Sequence, residues 1–172
     1  MQTITPNNNE KVMNKSDFIV SKTDLKGKIT YCNEIFMKFA ALSEKKLLGQ
    51  PHNIVRHPDM PSLIFKLLWE RIKNKKEIFA YVKNLSADGS YYWVYANVTA
   101  SVDDNDKVIG YYSVRRKPNE STLGKVKDLY RTLLEKERSG GVEASNLYLN
   151  NLLEQESLSY DEFINSLQNG GK

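Results

Sequence analysis

Cysteine is almost absent from this sequence, and long apolar runs are missing altogether. The single cysteine, Cys32, excludes an internal disulfide and suits a reducing compartment. No stretch approaches the ~18 consecutive apolar residues of a membrane span, and the polar residues 1–9 lack the apolar core of a signal peptide. We therefore expect a soluble, cytoplasmic protein without direct membrane insertion.

Runs of like charge and catalytic motifs are also lacking. The net charge is only +4 and the basic residues are scattered, so nucleic-acid binding is not expected. The sequence contains no nucleophile–base pair and no glycine-rich phosphate loop, and we expect no enzymatic activity. The 172 residues suffice for one ordinary domain and a smaller addition.

Hydrophobic periodicity predicts five strands, with helices inserted after the second. The strands are expected at 18–23, 28–32, 78–85, 91–101 and 108–114. Helical spacing follows Asn33, a candidate N-cap, and recurs from about Met60 to Lys75. This order cannot form a parallel βαβ series, so it predicts an α+β fold with a five-stranded antiparallel sheet and helices on one face. We expect an N-terminal segment (1–16), a central domain (17–117) and a C-terminal helical extension (118–172).

The C-terminal third has a helical pattern of its own. An amphipathic helix is expected from Thr122 to Arg138, followed by a break at Ser139-Gly-Gly141 and two shorter helices, the last of which opens with a capping box at Ser159. This extension either folds back on the sheet or pairs with a partner, and the sequence leaves both open. The strand from Tyr91 to Ser101 is apolar on both sides, so both sheet faces should be covered. If its small residues face a cavity, Trp93 faces outward.

The stretch Gly49-Gln-Pro-His-Asn-Ile-Val-Arg-His-Pro-Asp-Met-Pro61 concentrates the polar chemistry of the chain. It holds both histidines and three of the five prolines. Proline lowers the entropy cost of holding neighbouring polar groups in place, so the stretch can line a ligand cavity between sheet and helices. Asp59 is also placed to cap a helix that starts at Met60. We expect Asp59 to cap that helix and Arg56 and His57 to remain free for a ligand.

Several short phrases together carry a family resemblance. They are Thr23-Asp-Leu25, Gly49-Gln-Pro-His-Asn53, Val55-Arg-His-Pro-Asp-Met-Pro61, Val82-Lys-Asn84, Tyr92-Trp-Val94 and Gly110-Tyr111. With them, residues 18–116 resemble a PAS domain, and more narrowly the PAS domain of bacterial aerotaxis receptors. The resemblance implies non-covalently bound FAD and a redox or oxygen sensor in energy taxis. It also implies signalling to a membrane-bound chemotaxis receptor of the methyl-accepting type, and it leaves room for a homodimer.

The same resemblance implies a set of site residues. Arg56, His57 and Asp59 match flavin-binding positions of the family motif, Asn33 and Trp69 match others, and His52 and Asn53 complete the motif. A domain without a membrane anchor or signalling coiled coil also resembles split systems, in which a soluble PAS protein works with a separate membrane receptor. That partner would recruit it to the inner face of the membrane.

The flavin photoreceptors of the light-oxygen-voltage type, also PAS domains, add two candidates. Asn84 matches an asparagine that contacts their flavin ring, and Arg115 falls near their switching glutamine. His52 stands at the position of their reactive cysteine, so no light-driven adduct is expected. Two alternatives stay open: a haem-binding PAS gas sensor, which needs one histidine, and a cofactor-free interaction module. A metal site at the two histidines lacks further ligands and is not expected.

Overall fold

The computed structural model describes residues 4–171, so the first three residues of the predicted N-terminal segment and Lys172 lie outside it. Its centre is a five-stranded sheet in which every neighbouring pair of strands is antiparallel. The strands are β1 (Ile19–Thr23), β2 (Ile29–Cys32), β3 (Ile78–Leu85), β4 (Tyr91–Val102) and β5 (Val108–Arg116). They lie in the order β2-β1-β5-β4-β3, which confirms the predicted sheet.

Helices follow the second and the fifth strand. They are α1 (Glu34–Ala40), α2 (Glu44–Leu47), α3 (Ser62–Lys73), α4 (Glu120–Glu156) and α5 (Tyr160–Gln168), with a 3-10 turn at His52–Val55 before α3. The Asn33 side chain accepts a hydrogen bond from the Phe36 amide at 3.1 Å and so caps α1. Ser159 and Glu162 form the predicted capping box of α5. Local capping chemistry therefore sets these two helix starts as predicted.

The start of α3 differs from the sequence prediction. The helix begins at Ser62 rather than Met60, and no side chain of the preceding segment caps it. Asp59 instead pairs with Lys83 of β3, at 2.6 Å between Oδ2 and Nζ, and Glu137 of α4 accepts hydrogen bonds from the first helix amides. The expected Asp59 cap is wrong because both competing partners are distant in sequence.

Both faces of the sheet are covered, as the pattern of β4 predicted. Ala96 and Val98 face a cavity under α3, whereas Trp93 packs on the outer face against Tyr130 of α4, with ring centroids 5.9 Å apart. A second cavity of about 270 Å³ lies between Trp93, the N-terminal segment and α4. Trp93 therefore packs on α4 at the outer face, beside the N-terminal segment, and is not part of the cavity under α3.

The helices after β5 return to the sheet. α4 is broken at Gly140–Gly141, where the φ values of −150° and 71° depart from helical geometry, so the predicted break is confirmed. The Tyr130 hydroxyl donates to the Tyr81 carbonyl at 2.7 Å, and the Tyr160 hydroxyl of α5 donates to the Phe79 carbonyl at 3.1 Å. Of the two arrangements left open, this chain adopts the one in which the extension folds back on the sheet.

Candidate ligand-binding site

A cavity of about 280 Å³ lies between the sheet and α3. Strand residues form its floor, α3 supplies an apolar wall, and the stretch before α3 closes one side. The lining consists of Ser21, Thr23, Lys26, Gly27, Pro51, His52, Asn53, Arg56, Phe65, Leu68, Trp69, Ile72, Val82, Asn84, Ala96, Val98, Tyr111, Tyr112, Ser113 and Arg115. Its volume lies just below the usual range of about 300–1,000 Å³ for small-molecule sites, and its mostly apolar wall with a few convergent polar groups is typical of them.

The cavity brings together six of the nine site residues expected from the sequence. Those in its lining are His52, Asn53, Arg56, Trp69, Asn84 and Arg115, whereas Asn33, His57 and Asp59 are outside it. The stretch from Gly49 to Pro61 thus borders the cavity, but only part of its polar chemistry faces inward.

The three residues outside the lining have partners elsewhere. Asn33 binds backbone amides at the starts of β1 and α1. The buried His57 ring packs edge-on against Tyr91, at 6.0 Å between centroids, and burial and the Lys83 ammonium lower the pKa of its imidazole. Burial acts to raise the pKa of Asp59, but its hydrogen bond to Lys83 and the surrounding positive charge together lower it. His57 follows Arg56 in extended backbone, where neighbouring side chains point in opposite directions.

Arg56 is held at the cavity wall by several neighbours. Its backbone bridges to Asn84 of β3, and its guanidinium carbon lies 4.2 Å from the centroid of the Phe65 ring. Its Nη2 donates to the Ser62 hydroxyl at 3.3 Å and to the Met60 carbonyl at 3.4 Å. Arg56 takes part in none of the ion pairs found within residues 4–171. Its remaining donors are therefore available to an anionic or acceptor group.

Arg115 is a buried cation that also lines the cavity. Only 2% of the residue is exposed, and none of the ion pairs in the described part of the chain includes it. Its Nη2 donates to the Ser21 hydroxyl at 2.6 Å, its Nη1 lies 3.4 Å from His52 Nε2, and it stacks over Phe36 at 4.4 Å. A buried charge without a counter-charge is costly, so this position favours a ligand with acceptor atoms.

The protonation states of Arg115 and His52 follow from their burial. Burial lowers the pKa of Arg115 to about 10, so the guanidinium stays charged at pH 7. Burial and the charge of Arg115 lower the pKa of His52 to about 3, so its imidazole is neutral. The Ser21 hydroxyl accepts from Arg115 and lies 3.0 Å from His52 Nε2. His52 Nε2 is thus the acceptor in this group, and the ring proton resides on Nδ1.

Two buried donors in the lining have no partner among the described residues. They are Nδ2 of Asn84 and Nε of Arg115. Buried polar groups are nearly always hydrogen-bonded, and one left unpaired costs about 1–3 kcal/mol. Both residues line the cavity, so a ligand with hydrogen-bond acceptors fits this site better than a purely apolar one.

The sequence did not indicate Ser21 or Tyr111 as site residues, although both line the cavity. Ser21 is 1% exposed and lies at an inward position of β1, two residues after the buried Ile19. A serine at a core-facing position of a strand is the signal that would have indicated it. Tyr111 meets Trp69 edge to face, with centroids 5.4 Å apart. Gly27 lies against the same Trp69 ring, and a Cβ there would come within 3.1 Å of it.

Residues 4–171 provide neither a cluster of metal ligands nor a membrane-spanning helix. No group of three or more His, Cys, Asp or Glu side chains is arranged to hold a metal ion. No helix in that range is both long enough and apolar enough to cross a bilayer.

Known proteins resemble the part of the chain that builds this cavity. A family profile described as PAS fold matches residues 29–115. The aerotaxis receptor of Escherichia coli (strain K12) is 37% identical over 115 residues, which cover 67% of this chain and 22% of the receptor. The chain spans about a fifth of the length of the curated relatives that it matches.

Solved structures show the same fold at low identity. The PAS domain of a protein from Colwellia psychrerythraea superposes with a TM-score of 0.54 at 21% identity, covering 58% of this chain and 85% of that one. The light state of the blue-light photoreceptor Aureochrome1 LOV superposes with a TM-score of 0.56 at 18% identity, covering 70% and 91%.

Proposed function

The chain belongs to the PAS family, with a domain of the aerotaxis-receptor type, and from that premise we propose that it is a redox or oxygen sensor of bacterial energy taxis that binds FAD non-covalently. The family that the sequence motifs indicated is confirmed. In this proposal residues 17–117 are the sensor and residues 118–172 transmit its signal to a partner. A bound flavin supplies a ring whose hydrogen-bonding pattern changes when it is reduced.

Two unpartnered buried donors, on residues that line an apolar cavity, are the observation that supports this proposal most directly. A flavin ring is flat and largely apolar, with carbonyl and nitrogen acceptors along its edge. The cavity supplies an apolar wall from α3, including Trp69, and unpaired donors on Asn84 and Arg115. This donor set fits the ring, and the available guanidinium donors of Arg56 suit a phosphate.

The residues outside the lining have an indirect part in this proposal. Asn33 fixes the start of α1, and the Asp59–Lys83 pair with the buried His57 holds the backbone that follows Arg56. These residues keep the cavity wall in place rather than contact the ligand. No residue is assigned a catalytic role.

We propose a membrane-bound chemotaxis receptor as the partner. The similar E. coli protein is itself an aerotaxis receptor, and this chain aligns with 22% of it. The remaining functions of such a receptor would then be supplied by another polypeptide at the cytoplasmic face of the membrane, or by further chain. Signalling passes through protein contacts, and a homodimer is one form that the sensor can take.

The absorption spectrum of the purified protein tests the cofactor. Oxidised flavin gives two broad bands in the near-ultraviolet and blue, and heat-released cofactor identified by chromatography would be FAD. A sharp Soret band would contradict the proposal in favour of haem, and a protein without visible absorption after incubation with FAD would indicate a cofactor-free module.

Replacing Arg56 tests the assignment of the site. Arg56→Ala should weaken FAD binding by about 10- to 100-fold, because hydrogen bonds between charged groups contribute about 1.5–3 kcal/mol. Arg116→Ala is the matched control, since Arg116 is exposed and stacks on Tyr95 of the outer face. The dissociation constant is measured by flavin fluorescence, with circular dichroism to check the fold. Full FAD occupancy in Arg56→Ala would show the assignment to be wrong.

A further inference from the structure

The N-terminus of α3 is capped from another helix. Pro61 precedes the helix and offers no side-chain cap. The half-buried carboxylate of Glu137 in α4 takes that role, accepting from the Ser62 amide at 3.0 Å and from the Leu63 amide at 2.8 Å. A carboxylate at this position satisfies two otherwise unpaired amides and interacts favourably with the helix dipole.

This cap lies next to the candidate cavity. Ser62, whose amide is held by Glu137, accepts a hydrogen bond from Arg56 through its hydroxyl. Arg56 also stacks on Phe65, one turn further along α3. Both Arg56 and Phe65 line the cavity, together with Leu68, Trp69 and Ile72 of the same helix. A shift of Arg56 or of α3 therefore changes the position of the Ser62 and Leu63 amides that donate to Glu137.

The cap also lies next to the break in α4. Glu137 is three residues before Gly140–Gly141, and Ser145, just after the break, donates to the same carboxylate at 3.4 Å. The bonds from Glu137 thus join α3 to both halves of α4. Glu143, beyond the break, pairs with Lys66 of α3 at 2.6 Å, but its side chain is 77% exposed, so this second link is weak.

We propose that Glu137 is a positioning residue of the ligand site, which couples ligand contact at Arg56 and α3 to the placement of the C-terminal helices. The inference rests on the proposed function, because it names the residue through which that site is regulated. Coupling of this kind is reciprocal. If ligand binding strengthens the Glu137 cap, loss of the cap weakens ligand binding by the same factor.

Glu137→Gln in the full chain, with FAD as the probe, tests this coupling. The amide side chain retains one acceptor oxygen but loses the charge and the second bond, and we expect the dissociation constant for FAD to rise at least about fivefold. Glu143→Gln removes the same charge from the same helix facing α3, and we expect a change below about twofold because its pair is exposed. Ser62→Ala is the second variant. It cuts the contact with Arg56 while the cap remains, and it too should weaken FAD binding.

Thermal unfolding separates a positioning role from a merely structural one. A structural role lowers the melting temperatures of the empty and the FAD-loaded protein equally. Coupling instead reduces the increase in melting temperature that FAD produces. In the wild type, hydrogen exchange at Ser62 and Leu63 should be slower with FAD bound, and Glu137→Gln should lose that difference.

The outcomes distinguish this inference from the proposed function. A wild type that binds no FAD overturns the proposed function, and the coupling with it. A wild type that binds FAD, with Glu137→Gln and Ser62→Ala binding it equally well, overturns the coupling alone. Equal weakening by Glu137→Gln and Glu143→Gln also overturns it, since general charge loss would then explain both.

Discussion

At the scale of single residues, the cavity is defined by a buried cation that faces a neutral histidine and no carboxylate. Arg115 stays charged at pH 7 although it is buried, and it helps to keep His52 neutral. A ligand that brings acceptor atoms or negative charge is favoured beside such a pair, whereas a cationic ligand is repelled. The selectivity of the site therefore depends on charge as well as on shape.

His52 should make folding stability depend on pH. Its pKa is about 3 in the folded protein against an ordinary value of 6.5, so between these values the unfolded chain binds more protons. Its contribution to stability is complete above pH 6.5 and is lost as the pH falls toward 3. Solvent around the partly exposed ring moderates this effect, and we expect a loss of about 1–2 kcal/mol from pH 7 to pH 5.

Urea unfolding of the wild type and of His52→Gln at both pH values measures this effect. His57, whose pKa is also lowered, and the carboxylates contribute equally in both proteins. The change in unfolding free energy between pH 7 and pH 5 is compared in the two proteins, and the difference reports His52 alone. An equal change in both proteins would contradict the lowered pKa of His52.

The run Arg56-His57-Pro58-Asp59 shows which site residues could be predicted from the sequence and which could not. The family resemblance implied that Arg56, His57 and Asp59 all bind the ligand, yet only Arg56 lines the cavity. His57 is turned to the other side by the alternation of extended backbone. Asp59 forms an ion pair with Lys83, which is 24 positions away in the sequence. A motif identifies the segment, but the direction of each side chain depends on neighbours that only the fold supplies.

At the scale of elements, local signals were sufficient where a helix is capped by its own sequence. Asn33 and the Ser159 capping box were predicted because their partners lie three residues away. The cap of α3 was not predictable, because Glu137 lies 75 positions from Ser62. Strand order could be predicted only as an antiparallel set, since the pairing of β1 with β5 joins distant parts of the chain.

The break in α4 yields a prediction at this scale. Gly141 has φ 71° and ψ −172°, a conformation almost restricted to glycine, and a Cβ on Gly140 would lie 2.8 Å from that of Ala144. The double substitution to alanine should favour a straight helix. Segments after the break would then leave the sheet, which increases the radius of gyration measured by small-angle X-ray scattering.

Gly124→Ala is the matched control for this experiment. It makes the same change in the same helix, and its Cβ would meet no atom within 4 Å. We expect it to stabilise the protein by about 0.5–1 kcal/mol without a change in dimensions. An unchanged radius of gyration in the double variant would show that docking, rather than the glycines, imposes the break.

At the scale of the whole molecule, α4 is joined to two elements that line the cavity, β5 and α3. β5, which carries Arg115, leads through residues 117–119 directly into α4. α3, which forms the apolar wall, binds α4 through Glu137. The outer face of the sheet holds the same helix through the Tyr130 hydroxyl. Both connections are routes for coupling between the cavity and α4.

Hydrogen exchange in the oxidised and the dithionite-reduced protein measures that coupling. Asn84, whose Nδ2 is buried without a partner, is placed to respond to a ligand whose hydrogen-bonding pattern changes. Gain or loss of one buried hydrogen bond is a bias of ~1–3 kcal/mol, which shifts a two-state element by roughly five- to a hundred-fold. We therefore expect redox-dependent protection in residues 108–138, where β5 and the first half of α4 lie.

Two asparagine variants locate the origin of this response. Asn84→Ala should bind FAD but lose the redox dependence, because its amide is the group that makes or breaks the bond. Asn97→Ala should keep it, since Asn97 lies on the neighbouring strand and donates to Glu77 rather than facing the cavity. If Asn84→Ala keeps the difference, the response starts at Arg115 or at α3, and the Glu137 variants decide between those two. Identical exchange in both redox states of the FAD-loaded wild type would exclude a signal that leaves through α4.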